Sequence, residues 1–343
     1  MEPVSEVPDG HHDLVVIGAS AGGVETLRKV VGGFPADLRA AILIVLHVAP
    51  SSPSALAHIL RRAGALPCRA ATDGEALHLG EILVAPPDRH LVVEGGRVRL
   101  TNHPRENGHR PSVDVLFRTA AMARDIRVVG VVLSGMRDDG SAGLAMIKAQ
   151  GGATIVQDPA EALYAGMPAS ALAHVHVDSI VPSGLVADAV VAMVNGWPLP
   201  PGAGGPSDPT LPRSTEPITT VCPECGGVLS ERAEAGVTHW ECRVGHRYSA
   251  ESLINAQAQD VEAAMWAAVR ALEDRRQLLE RMAEQLDGRG QQRSAHSFRH
   301  RAHEAQAQAD AVRIAVSEAA AGSLRELEDD ERADTPAAQG GVV

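Results

Sequence analysis

Aromatic side chains are nearly missing from this 343-residue chain, in which three Phe, three Trp and two Tyr make up 2%. So few rings exclude rows of base-stacking platforms and leave the cores to Val, Leu, Ile and Ala. A surplus of positive charge is missing too. Lys and Arg number 31 against 43 Asp and Glu, a net charge of -12, so the chain lacks the electrostatic footprint of nonspecific nucleic-acid or anionic-membrane binding. No apolar run reaches the length of a bilayer span, and the opening MEPVSEVPDGHHD is acidic and Pro-bearing where a secretory leader would be basic and then apolar. The expectation is a cytoplasmic protein with no nucleic-acid partner and no direct membrane insertion. Cysteine is scarce as well. Its four residues, Cys222, Cys225 and Cys242 in a cluster and Cys68 alone, form no disulfide framework, and in a reducing compartment the cluster suits metal ligation.

What is present, with 45% apolar residues, is enough to bury a sizeable core. From Leu14 to about Trp197, β-branched runs such as LVVIG, AAILIVLH and VVGVVLSG alternate with amphipathic stretches such as VETLRKVVGGF and VDVLFRTAAMA. Continuous apolar strands between helical patterns predict an α/β fold, a doubly wound, mostly parallel sheet with helices on both faces. Within GEILVAPPDRHLVVEGGRVRLTNH the Gly95-Gly96 pair predicts a hairpin inserted in, or edging, that sheet.

The domain reading is an α/β domain over residues 12–197 and a Pro/Gly-rich linker over 198–218. A Cys-bearing ribbon-like segment follows over 219–249, then a helical hairpin over 250–322 and a disordered acidic tail over 323–343. In the first helix of the hairpin Val261, Met265, Ala268, Leu272, Leu279, Met282 and Leu286 form one apolar stripe. After the break at DGRG, a second stripe runs through Phe298, Ala302, Ala305, Ala309, Val312 and Val316. One stripe cannot be buried alone, so the pair packs on itself, on the α/β domain or on a partner, and self-association through these helices is an expectation.

The turn GASAGG, Gly18 to Gly23, fits two templates. As a dinucleotide fingerprint it is poor, because Ser20 occupies the second glycine position. As G-x-S-x-G it fits well, with Ser20 thrown out where a strand ends and a helix begins. A helix-capping serine is the plainer reading of Ser20 by itself. Two further strand ends change the balance: His47 follows AAILIVL, and Asp138 and Asp139 follow VVGVVLSGM. Ser, His and Asp thus meet at the carboxyl edge of one sheet, where open α/β folds hold their ligands. Serine needs a neutral imidazole to take its proton, and the imidazole needs a carboxylate to fix its tautomer.

GASAGG, the LH after the second strand, APPDRHL at Ala85, RPSVDVLF at Arg110, LSGMRDDG at Leu133 and QDPAEALYAGMP at Gln157 occur in this order over residues 13 to about 195. Together they resemble the catalytic domain of the chemotaxis protein-glutamate methylesterases, the CheB family. The resemblance implies Ser20 as nucleophile, His47 as base and Asp139 as its orienter, with main-chain N–H groups near His47 and Met136 as the oxyanion hole. It also puts Arg89, His90 and Met167 at the cleft. The implied reaction is hydrolysis of a glutamyl methyl ester on a methylated chemoreceptor or related sensory receptor, with methanol released and no cofactor for catalysis; glutamine deamidation is a further family activity. The family usually has a receiver domain before the catalytic one, whereas here the pattern starts at residue 13, so control other than receiver phosphorylation is expected. Ala21 stands where the family often has threonine, and Arg137 where glycine is common. Two other readings stay open, a catalytically retired signalling scaffold and a nucleotide-binding module.

CPECGG at Cys222 and CRVGH at Cys242 give C-x2-C-x16-C-x3-H, three sulfurs and one nitrogen, a tetrahedral set suited to structural zinc. His246 is the fourth ligand in this reading and His239 its alternative. The helix and basic residues of a nucleic-acid-reading finger are missing.

Overall fold

The computed structural model describes residues 12–51, 55–123, 127–200 and 220–333. The linker and the N-terminal stretch fall largely outside the described residues.

Seven short apolar runs become parallel strands. β1 (Leu14–Ala19), β2 (Ala41–Leu46), β3 (Cys68–Ala70), β4 (Ile82–Val84), β7 (Val128–Val132), β8 (Ala153–Gln157) and β9 (Ser179–Val181) form one sheet in the order β3-β4-β2-β1-β7-β8-β9. Alternation along each strand divides the apolar residues between two cores. Val15, Ile17, Ile42 and Ile44 face one side with Leu27, Val30 and Val31 of α1 (Gly23–Gly32) and Val190 of α6 (Val186–Asn195). Leu14, Val16, Leu43 and Val45 face the other, with Leu116 and Phe117 of α3 (Val113–Met122) and Leu144 and Ile147 of α4 (Ser141–Ala149). Full burial of each such side chain contributes about 1.5–3 kcal/mol, so the two-sided sheet is where the stability of the domain resides. α2 (Leu56–Arg61) and α5 (Gly166–His174) complete its helices.

The predicted hairpin forms, but as its own sheet rather than within or along the large one. β5 (His90–Glu94) and β6 (Arg97–Thr101) form a two-stranded sheet around Gly95 and Gly96 at φ of 56° and 71°, with Arg97 also bridged to Ala76. Leu91, Val93 and Val98 give this pair an apolar face, and burying that face against α3 satisfies it better than an edge position would.

Beyond residue 219, β10 (Leu229–Glu234), β11 (Val237–Cys242) and β12 (Arg247–Tyr248) make a three-stranded antiparallel sheet that belongs to the same compact unit as the α/β domain. Val237 joins the second core. Residues 255 onward form a second unit. It holds most of α7 (Ala250–Asp287) and all of α8 (Gln292–Ala333).

From Met265 onward α7 covers Met265, Val269, Leu272, Arg276, Leu279, Ala283 and Leu286 in a strict 4-3 alternation, with Glu273 half-buried beside them. Val261 and Met282 of the expected stripe are instead 59% and 36% exposed, and Ala268 is exposed too, because a 3.5-residue repeat carries them off the seam. On α8 the expected stripe is the covered one, with Ala295 added. Arg313 pairs with Glu273 and Arg299 with Asp287, which sets the two helices antiparallel. α8 continues to Ala333, past the start of the expected tail, since SLRELEDDERA is rich in Leu, Glu and Arg, all good helix formers. No helix among the described residues is long and apolar enough to cross a membrane.

Arg137 lies in the left-handed region at φ 66°, which gives a local reason for the family's glycine there. A non-glycine residue in that conformation costs about 1–2 kcal/mol, against which the extra unfolded-state freedom of glycine is worth about 0.5–1 kcal/mol. Arg137→Gly is therefore expected to stabilise the fold by roughly 0.5–1 kcal/mol, read as a raised denaturation midpoint at unchanged slope.

Candidate active site

The strand order reverses at β1, whose chain continues to β2 on one side while β7 lies on the other. Such a switch point opens a crevice at the carboxyl ends of the strands. Ser20 follows β1 there and is half-buried. Its N–H donates to Ser134 O at 3.0 Å, and its carbonyl accepts from Gly23 N at 2.9 Å. These two N–H groups are thus engaged by protein carbonyls rather than turned outward to cradle a phosphate. Gly22, at φ 71°, makes the corner into α1. Gly135 must lack a side chain, since a Cβ on it would lie 2.9 Å from that of Ser20 and 2.1 Å from Met167 Sδ.

The parallel register Gly18 to Val45 and Ala19 to Leu46 continues by placing His47 beside Ser20. The His47 side chain is 5% exposed, and its Nε2 lies 2.6 Å from Asp139 Oδ2. Nε2–H therefore donates to the carboxylate. That leaves Nδ1, buried and with no hydrogen-bond partner, as the basic nitrogen. His109 stacks on His47 with ring centroids 3.7 Å apart and planes at 9°. Burial first, and His47 second, lower His109 to about 4, so it stays a neutral plate that holds the His47 ring in its plane.

Asp139 is itself buried. Besides His47, Oδ2 accepts from Val113 N at 2.7 Å; Oδ1 accepts from Ser112 Oγ at 2.9 Å, Asn107 Nδ2 at 3.0 Å and Asp114 N at 3.2 Å. Burial alone would raise this carboxyl, but the His47 hydrogen bond and charge override it, helped by His109 and Asn107, and hold it far below the ordinary carboxylate range. Asp114, also buried, is pushed the opposite way by burial and then by the Asp139 charge. Asp138 points elsewhere, accepting from Ser252 Oγ at 3.0 Å. Of the two neighbouring aspartates, the structure sets Asp139 against His47.

The weaker site residues are placed less uniformly. Met136 is 45% exposed in the loop after β7. The N–H of His47 donates to Ala19 O at 3.2 Å, so of the two suggested regions the Met136 loop is the better source of an oxyanion donor. His90 does not line a cleft: it is buried, with Nε2 3.0 Å from Pro104 O and Nδ1 accepting from Ser112 N at 3.3 Å. It is a strut for the loop that carries Asn107 and Ser112. Arg89 turns back to Asp88 O at 2.8 Å, and Met167 is wholly buried against Gly135. Asn107, His109, Ser112 and Asp114 escaped the sequence reading. Their signal was adjacency, since the last two lie inside RPSVDVLF and the first two just before it.

The cysteine segment brings Cys222, Cys225, Cys242 and His246 together, with all ligand atoms within 4.8 Å of one another. Cys225 and Cys242 Sγ are 3.6 Å apart, and His246 Nδ1 is 3.6 Å from both Cys222 and Cys242 Sγ. A Zn–S bond of about 2.3 Å sets tetrahedral ligand atoms roughly 3.8 Å apart, so the set fits the ion. His246 Nε2 faces Glu224 Oε2 at 3.2 Å, the outer carboxylate partner that orients a ligating imidazole. His239 instead meets Arg247, Nδ1 to Nη2 at 3.1 Å, and stands outside the cluster.

Residues 15–190 match the family described as CheB methylesterase. Among curated proteins, the chain is 36% identical over 190 residues to a protein-glutamate methylesterase/protein-glutamine glutaminase 2 of Methanosarcina mazei, covering 53% of this chain and 52% of that one. It is 40% identical over 184 residues to the protein of the same name from Xanthomonas oryzae pv. oryzae, covering 52% and 51%. It thus spans about half the length of the curated relatives it matches. Among solved structures, the CheB methylesterase catalytic domain of Thermotoga maritima superposes with a TM-score of 0.51 at 30% identity, over 53% of this chain and 99% of that domain. The matched residues include all three strand ends that carry Ser20, His47 and Asp139, and the chain belongs to the CheB methylesterase family.

Proposed function

We propose that this protein is a serine hydrolase that removes methyl esters from glutamate side chains of chemotaxis-type receptors, through Ser20, His47 and Asp139. The observation that carries the reading is the buried His47–Asp139 pair, 2.6 Å between Nε2 and Oδ2, with Nδ1 left as the free base at the strand edge that holds Ser20. Ser20 Oγ attacks the ester carbonyl while its proton passes to His47 Nδ1. The Met136 N–H faces the developing oxyanion, and Asp139 stabilises the imidazolium. Collapse of the tetrahedral intermediate returns the proton to the departing methanol and leaves a glutamyl ester on Ser20. Water, deprotonated by His47, then hydrolyses that ester and restores the glutamate carboxylate and the serine. With glutamine as substrate the same steps release ammonia. Catalysis needs no metal ion in this scheme. The retired-scaffold and nucleotide-cradle readings leave so thoroughly hydrogen-bonded a histidine–carboxylate pair without a task.

The cysteine–histidine cluster is read as a structural zinc ribbon. All four ligands come from the protein, so no coordination position is left for substrate.

Two measurements check this. Methanol release from methylated receptor membranes is expected for the wild type and to fall by about four orders of magnitude in Ser20→Ala, His47→Ala and Asp139→Asn, with the losses not adding in combination. Release undiminished in Ser20→Ala would end the esterase assignment. Zinc is expected in equimolar amount with the purified chain and lost from Cys222→Ser, as read by elemental analysis; full zinc content in that variant would remove Cys222 from the ligand set.

A further inference from the structure

We propose that the metal ribbon is a positioning element for the catalytic carboxylate, acting through the side-chain amide of Asn107. The inference rests on the esterase reading of Ser20, His47 and Asp139, and adds to it a group that touches no substrate.

Asn107 is buried and left-handed, at φ 55°. Its Nδ2 donates in two directions, to Asp139 Oδ1 at 3.0 Å and to Asp114 Oδ2 at 2.9 Å. One NH2 group thus lies between two buried carboxylates. An amide turned over by half a rotation would set its oxygen against the ionised Asp139, acceptor against acceptor with no proton between them. What fixes its sense is Ser249, whose main-chain N–H donates to Asn107 Oδ1 at 2.9 Å. A main-chain N–H only donates, so the oxygen must face it and the NH2 must face the carboxylates. Asn107 N also donates to Arg247 O at 2.8 Å.

Arg247 and Ser249 follow directly on His246, the last member of the ligand set. The same turn is stitched to the α/β domain at further points. Arg247 N reaches Arg105 O at 3.4 Å, the Arg247 guanidinium lies 3.6 Å from Glu106, and Ser252 Oγ donates to Asp138. Glu106 is in turn gripped by both arms of the Arg118 guanidinium at 2.7 Å. The ribbon itself has little core: Cys222, Leu229, Val237, Trp240, Cys242 and Tyr248 are its buried apolar residues. A segment of this size does not fold on such a core alone, and a bound ion is what fixes structures of this kind. Metal occupancy therefore fixes His246, His246 fixes the turn through Ser249, and Ser249 sets the sense of the Asn107 amide on Asp139.

The test uses the full chain. Cys225 is the exposed member of the set, so Cys225→Ser removes a ligand with little loss of packing, and Cys225→His restores a zinc ligand at the same place. Zinc content, kcat and KM for methanol release, and the downfield proton signal of the His47 Nε2–H bonded to Asp139 are measured on both and on Asn107→Ala. Cys225→Ser is expected to lose zinc, to lower kcat roughly a hundredfold at unchanged KM, and to broaden the His47 signal. Asn107→Ala should do the same to kcat and to the signal while keeping zinc, the combination should be no worse than either alone, and Cys225→His should recover zinc, kcat and signal together. A zinc-free Cys225→Ser protein with wild-type kcat and a sharp His47 signal would overturn the proposal, as would additive losses. If the wild type itself released no methanol the esterase reading would fall, whereas the proton signal would still show whether zinc controls the His47–Asp139 pair.

Discussion

A carboxylate buried in the protein interior is the constraint around which the rest of this site is arranged. Removing an ionised Asp139 from water costs several kcal/mol, and its Coulomb attraction to one imidazole does not offset that reliably. Five donors do: His47 Nε2, the amide N–H groups of Val113 and Asp114, the Ser112 hydroxyl and the Asn107 amide. Two of them are main-chain groups in the first turn of α3, where the helix dipole also favours negative charge. The start of α3, the loop before it and the end of β7 are therefore held in place by one ion. Its tight solvation by protein groups keeps it charged.

The sheet delivers these groups without strain in the strands. Parallel pairing brings the ends of β1, β2 and β7 to one edge, and the strain is confined to short loops: Gly22 at the corner after Ser20, Gly135 pressed against it, and Arg137 in a conformation that suits glycine. Around the serine, Met136, Leu163 and Tyr164 leave apolar surface exposed, Leu163 at 74%.

The mostly parallel sheet with helices on both faces was readable at β1, β2 and β7, because strands buried on both faces announce themselves as continuous apolar runs; β3 and β9, three residues each, are too short to do so. That Ser20, His47 and Asp139 come to one edge of the sheet was readable because each follows such a run. Residues whose value lies in a single polar contact were not: nothing about Asn107 in RENGHRPS distinguishes it from a turn asparagine until Ser249 and Asp139 are placed on either side of it. His90 was misplaced for the related reason that a buried histidine with both nitrogens bonded to the main chain looks, in sequence, like one facing a cleft. The coiled-coil register of α7 was missed by one position at two places, because a window that admits both 3.5- and 3.6-residue spacing accepts Ala268 and Met282 as readily as Val269 and Ala283.

The bond from Ser249 to Asn107 joins residues 142 positions apart. A ribosome adding about 5–20 residues per second therefore completes the α/β domain, whose last helix ends at Asn195, roughly 3–11 seconds before it reaches Ser249. During that interval the nascent chain carries the serine, the histidine and the aspartate, but not the backbone donor that orients the amide between the two carboxylates. The last part of the domain to be synthesised is the part that finishes its charge arrangement, so a chain cut short before the second cysteine knuckle is left with a folded sheet and an unfinished site.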